Sequence, residues 1–185
     1  AFYTPLKLVE KEAIRCRKLV QDLLTFSRAG KEEKEIVDVK EVIEEAVSPV
    51  TAQSKVSEVE FVKEIESALP KICANRNQIQ QVIINLCNNA LDVMPAGGKL
   101  TVRACKALRN EKDFVEIQVQ DTGPGIPEEI QSRIFEPFFT TKEVGKGTGL
   151  GLSLVYEIVQ KNDGFITFQT QAGQGTTFYV YLPAG

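Results

Sequence analysis

What most constrains the fold of this chain is the way its hydrophobic period changes along its length. Val42, Ile43, Ala46, Val47 and Val50 share one face of a helix predicted over Val39–Lys55. Ile79, Val82, Ile83, Leu86, Ala90 and Leu91 share a face of another, predicted over about Asn75–Val93 and stopped by Pro95 and the Gly97-Gly98 turn. Between them Val59–Ile65 alternates like a short strand closed by Pro70, and beyond them the period becomes two over Lys99–Ala104 and Phe114–Gln120. A helix is expected over about Gly149–Asn162, then strands over Phe165–Thr170 and Thr177–Leu182 joined through Gly173 and Gly175. Helices with one apolar face each, followed by hairpin-connected strands, imply an α/β two-layer sandwich of helices on one mixed, mainly antiparallel sheet. At 185 residues, one main core is expected.

The N-terminal stretch has a different pattern. Leu6–Arg28 contains neither Gly nor Pro, and Val9, Ala13, Cys16, Val20, Leu23 and Ser27 recur at alternating spacings of four and three. That is the seam of a bundle or coiled-coil helix, which needs a partner. It ends at Gly30 and passes into the KEEKE run of Lys31–Glu35, read as a hinge or as a solvated first turn. The chain therefore divides into 1–30 and 31–185.

With 22 basic and 25 acidic residues, the net charge of −3 gives no reason to expect nucleic-acid binding. No apolar run approaches a membrane span and the N-terminus lacks a signal-peptide pattern, so a soluble piece is expected, with any span outside it. Cys16, Cys73, Cys87 and Cys105 form no CxxC pair and sit among apolar neighbours, as buried free thiols would. The absence of histidine excludes a Ser-His-Asp triad, a His-ligated metal and phosphorylation of this chain on histidine.

Four segments carry candidate chemistry. NLCNNALD places Asn85, Asn89 and Asp92 on one helical face. Asn85 and Asn89 offer hard amide oxygens that can hold Mg²⁺ against a triphosphate, although two solvated asparagines are the alternative. In DTGPGIP, from Asp121 through Gly123, Gly125 and Ile126, a carboxylate at a strand's end can accept a hydrogen bond from an exocyclic amine, and the glycines let backbone approach a planar base. A plain β-turn explains the glycines equally well but not the carboxylate. IFEPFFTTK ends at Lys142 and is followed by Gly145, Lys146, Gly147, Thr148, Gly149, Leu150 and Gly151. The glycines entering a helix free N–H groups for phosphates, Lys142 and Lys146 can neutralise phosphate charge, and 142–147 reads as a lid or as a generic loop. This run matches neither GxxxxGK[ST] nor a Rossmann GxGxxG in its required setting. GQGTTF, with Thr176, is by itself only a hairpin.

Taken in order, NLCNNALD resembles the N box, DTGPGIP the G1 box, FEPFFTTK the F box, GKGTGLGL the G2 box and GQGTTF a G3-type segment of bacterial sensor histidine kinases. The resemblance covers about residues 31–185. It implies the Bergerat ATP-binding sandwich, shared with gyrase-type topoisomerases, heat-shock chaperones and MutL repair proteins. It further implies ATP and Mg²⁺ as cofactors. Asn89 matches the metal-binding asparagine, Asn85 the preceding phosphate or metal contact, Asp121 the adenine-reading aspartate, and Gly123 and Gly125 the glycines beside the base. Lys142 and Gly145 to Gly151 match the lid and phosphate-contacting segment, and Thr176 a threonine near the adenine. Leu6–Arg28, ending LLTFSR, is similar to the second helix of the dimerisation and phosphotransfer hairpin, whose first helix would carry the acceptor histidine.

The implied partners are a response regulator receiver domain and a second copy in the full-length protein. The implied location is cytoplasmic, with any membrane attachment supplied by upstream segments. Hydrolytic members of the superfamily carry a glutamate four residues before the metal-binding asparagine. This chain has Asn85 there, and an amide has no useful basicity. A histidine kinase is therefore expected, with a serine-directed kinase of the same fold or a non-catalytic nucleotide-gated module as alternatives. No residue here is expected to be the catalytic base or acceptor.

Overall fold

A computed structural model describes residues 33–94, 96–109, 111–142 and 147–185, together with Val9 and Ala13. Of the bundle helix expected over 6–28, only Val9 and Ala13 are described, both helical and exposed; the rest of that expectation lies outside the described residues.

The described elements run β1 (Glu35–Val37), α1 (Val39–Val56), β2 (Glu60–Ile65), β3 (Ile72–Ala74), α2 (Arg76–Val93), β4 (Lys99–Arg109), β5 (Lys112–Asp121), α3 (Glu128–Gln131), α4 (Gly151–Lys161), β6 (Phe165–Gln171) and β7 (Gly175–Pro183). Five strands form one sheet in the order β2-β4-β5-β7-β6, parallel between β2 and β4 and antiparallel elsewhere, while β1 and β3 form a small antiparallel ribbon. The expected mixed, mainly antiparallel sheet is present.

Each helix starts and packs for a local reason. The Asp38 carboxylate accepts the Lys40 N–H at 3.0 Å and the Asn75 side chain accepts the Gln78 N–H at 2.9 Å, capping α1 and α2 respectively. The apolar stripe of α2 is sealed against α1, α4 and the sheet, with Ile79, Ile83 and Leu86 facing Leu100, Ile117, Ile158 and Leu182 in one essentially inaccessible core. Burying each such side chain contributes roughly 1.5–3 kcal/mol, which fixes α2 and hence its polar face.

Three features depart from the sequence reading. The β4–β5 hairpin extends past the predicted strands to Arg109 and Lys112, where Leu108 is exposed and side chains no longer obey the alternation set by a core. β1 occupies the end of the charged run read as a hinge, and β3 was not anticipated; strands of three residues are too short to show a period. The thiols are not uniformly buried. Cys87 lies in the core, where burial pushes its thiol up to about 12, whereas Cys105 is half-buried and Cys73 is exposed. Cys73 is the middle residue of a buried-exposed-buried strand, so alternation turns it outward.

Candidate functional site

One end of the site is built where β5 runs out. Asp121 is the last residue of β5, paired with Leu100 on one side and Thr176 on the other, and is 5% exposed. Its carboxylate accepts the Gly123 N–H at 2.8 Å and a backbone N–H from Thr176. Burial raises its pKa above the ordinary carboxylate range, and these two donors offset only part of that shift. A side chain at 123 would start 2.8 Å from the same carboxylate oxygen and 3.3 Å from Val93 Cγ2. Gly123 thus leaves the acid undisturbed and brings the end of α2 beside it.

The turn after β5 is stitched to the β6–β7 hairpin. Ile126 N–H donates to Thr170 Oγ1 at 2.8 Å, that hydroxyl donates to the Gly175 carbonyl at 3.2 Å, and Thr176 Oγ1 lies 3.0 Å away as the remaining donor. Gly173 N–H closes the link on the Pro124 carbonyl at 2.8 Å. Gly175 has φ +92° and its missing Cβ would collide with the Asp121 carbonyl, so only glycine fits. Thr170 was read from sequence only as a strand end. Its place opposite Thr176 in the hairpin is the signal that would have found it.

The other end is made of helix ends. On α2, Asn85 Oδ1 accepts the Gln81 amide at 3.0 Å, and its Nδ2 is buried without a partner. Asn89 makes no hydrogen bond among the described residues and lies against the start of α4, where a Cβ on Gly151 would sit 3.5 Å from its Nδ2. Asp92, one further turn along, holds Lys142 Nζ at 2.6 Å. The first residue of α4 follows Leu150, which gives no side-chain cap, so the opening N–H groups of the helix lack that partner. Gly149, at φ +68°, passes so close to the Phe138 backbone that a Cβ would collide with it. Gly147 leaves room for Thr140 Oγ1 and the stem of Lys142. Thr148 Oγ1 accepts the Leu150 N–H at 3.4 Å.

The predicted residues thus converge, apart from Gly145 and Lys146, which lie outside the described residues. Phe135 anchors the intervening segment against Phe168, Phe178 and Tyr156, with ring centroids 5.5 to 6.5 Å apart. At one end stands an acceptor in a buried glycine-lined niche, suited to a neutral polar ring; at the other stand uncapped helix N–H groups, the unpartnered Asn85 Nδ2, a lysine and the Asn89 amide oxygen, groups suited to a polyanion. Among the described residues no group of three His, Cys, Asp or Glu could hold a metal by itself. A cation here would draw on amide oxygens and on a ligand's own phosphates, the donor set that Mg²⁺ accepts.

The fold is a two-layer α/β sandwich with its candidate site on one helical face and one strand end, and it defines a class. Residues 74–185 match the family model described as histidine kinase-, DNA gyrase B- and HSP90-like ATPase, and the chain belongs to that family. Within it, the similarity runs to sensor histidine kinases. The chain is 40% identical over 186 residues to sensor kinase CckA of Brucella abortus, a match covering 95% of this chain and 20% of the relative. It superposes on the catalytic domain of histidine kinase ThkA with a TM-score of 0.72 at 30% identity, covering 83% of this chain and 97% of that one. ThkA in complex with response regulator protein TrrA matches with a TM-score of 0.76 at 26% identity, over 100% of this chain and 52% of ThkA's. Full-length ShkA in complex with AMPPNP gives 0.80 at 26% identity, over 100% of this chain and 38% of that one. The chain spans about a fifth of the length of CckA. No helix among the described residues is long and apolar enough to cross a membrane.

Proposed function

We propose that residues 31–185 are the catalytic ATP-binding domain of a sensor histidine kinase, and residues 1–30 the second helix of its dimerisation and phosphotransfer hairpin. The observation that carries the nucleotide reading is the Asp121 niche: a buried carboxylate, braced by the Gly123 and Thr176 N–H groups, at a strand end flanked by Gly123 and Gly175, which carry no side chain of their own. In this reading Asp121 accepts the adenine exocyclic amine, Gly123, Gly125 and Ile126 border the base, and Thr176 supports it.

At the phosphate end, Asn89 would hold Mg²⁺ through its amide oxygen, and Asn85 would give its orphaned N–H to a phosphate oxygen or, on releasing Gln81, turn its carbonyl to the metal. When bound, Mg²⁺ neutralises charge on the phosphates. Lys142 and the N–H groups of Gly147, Thr148, Gly149, Leu150 and Gly151 would take the remaining phosphate oxygens, a role assigned from sequence also to Gly145 and Lys146, which lie outside the described residues. Asp92 adjusts that charge through Lys142. The role of this chain is to position and stabilise the γ-phosphoryl group, while the nucleophilic histidine and, later, a response regulator aspartate come from elsewhere. Asn85 supports the kinase reading, because an amide cannot activate water as the glutamate of a hydrolytic relative would.

Asp121→Asn tests the site. In titration calorimetry with a non-hydrolysable ATP analogue it weakens binding by roughly 1.5–3 kcal/mol, the worth of one charge-assisted hydrogen bond. Unchanged affinity would remove Asp121 from the base site and with it the basis of the reading.

A further inference from the structure

Asp92 is placed where its charge bears on the phosphate end of the site from two directions. It follows Asn89 by three residues on the same face of α2, while the next two residues, Val93 and Met94, lie against Gly123 beside the Asp121 carboxylate. The last turn of α2 carries no basic residue, so a carboxylate there faces the negative end of the helix and gains from an external cation. Lys142 supplies it at 2.6 Å, from the segment that leads into the glycine run. The side chains are 27% and 43% exposed for Lys142 and Asp92, so the pair is screened and adds little to the fold. Its larger consequence is local charge: Asp92 opposes an arriving polyanion and cancels the lysine that would attract one.

We infer that Asp92 is a specificity-determining residue that makes this site prefer metal-complexed over metal-free nucleoside polyphosphate. The inference rests on the nucleotide-binding reading above. A polyphosphate without metal carries more negative charge than its Mg²⁺ complex, so a fixed carboxylate penalises it more. Freed from Asp92, Lys142 would favour the more highly charged ligand most.

The test is calorimetric binding of AMPPNP to the whole chain at low ionic strength, once with excess Mg²⁺ and once with EDTA, for wild type, Asp92→Asn and Asp92→Glu. Asp92→Asn should tighten metal-free binding by about threefold to fivefold and the Mg²⁺ complex by less, narrowing the preference, with the difference shrinking as salt is added. Asp92→Glu, which keeps the charge, should retain the wild-type preference. An unchanged preference in Asp92→Asn overturns the inference. So does equal weakening of both ligand forms, which would show that Asp92 only holds Lys142 in place, and so does a narrowed preference in Asp92→Glu. A wild-type chain that binds neither form fails the nucleotide reading itself, a result distinct from all of these.

Discussion

The two ends of the site are built from different materials. The Asp121 end lies within the sheet: its acid, its Thr176 neighbour and the Thr170 hydroxyl are all fixed by strand register, and Gly175 fits against the backbone of β5 with no space to spare. The phosphate end is assembled from the polar side of α2, the start of α4 and the segment through Lys142; the two helices share the core, but that segment reaches α2 through an exposed ion pair and meets the glycine run by close backbone contact. The difference matches the demands of the two tasks proposed for them. Reading a planar base needs one acceptor held in one orientation, whereas holding a polyanion needs many donors that stay free until it arrives.

Substitutions should therefore fail differently at the two ends. Gly175→Ala has the largest expected effect, because the new Cβ meets the Asp121 carbonyl at a positive φ. Loss of roughly 2–4 kcal/mol in urea unfolding is predicted, together with loss of nucleotide binding. A variant as stable as wild type would show that the base end is less constrained than its geometry indicates. Asn89→Ala should leave stability within about 0.5 kcal/mol, as the side chain makes no hydrogen bond within the described residues. It should abolish most of the gain in analogue affinity that Mg²⁺ brings; retention of that gain would move the metal away from Asn89.

The pH dependence separates the two ends further. Because burial raises the pKa of Asp121, its carboxylate protonates above the ordinary carboxylate range as pH falls. Nucleotide affinity should decline through that window in wild type and not in Asp121→Asn. Stability of the unliganded chain should move the other way. A folded-state pKa above the unfolded value means that the folded state binds more protons, so this contribution is present at low pH and is lost as pH rises through the folded pKa. Parallel profiles for wild type and Asp121→Asn would contradict both statements. The smallest expected effect on binding comes from outside the site: Asn75→Ala removes the α2 cap and should cost about 1 kcal/mol of stability without altering the metal response.

The helical layer and the residues of the candidate site were legible in the sequence, for separable reasons. α1 and α2 are long enough for their apolar faces to repeat several times, and Asp38 and Asn75 mark where they begin. Asp121, Asn85 and Asn89 stand out because polar residues at a strand end or on one side of an otherwise apolar helix need a reason to be there. What could not be read is what register alone decides. Thr170 acquires its role only when β6 pairs with β7, and the bond from Gln81 that occupies Asn85 Oδ1 depends on rotamers in the folded helix. Asp92 and Lys142 are 50 residues apart in sequence, and nothing in either motif announces that they meet.

Phosphotransfer is the most direct test of the central claim. The chain, supplied with γ-labelled ATP, Mg²⁺ and a separate fragment carrying the preceding helix and its histidine, should place acid-labile label on that histidine, and Asp121→Asn should reduce the rate. Acid-stable label on a seryl position, or release of phosphate to water with none retained on the fragment, would contradict the assignment.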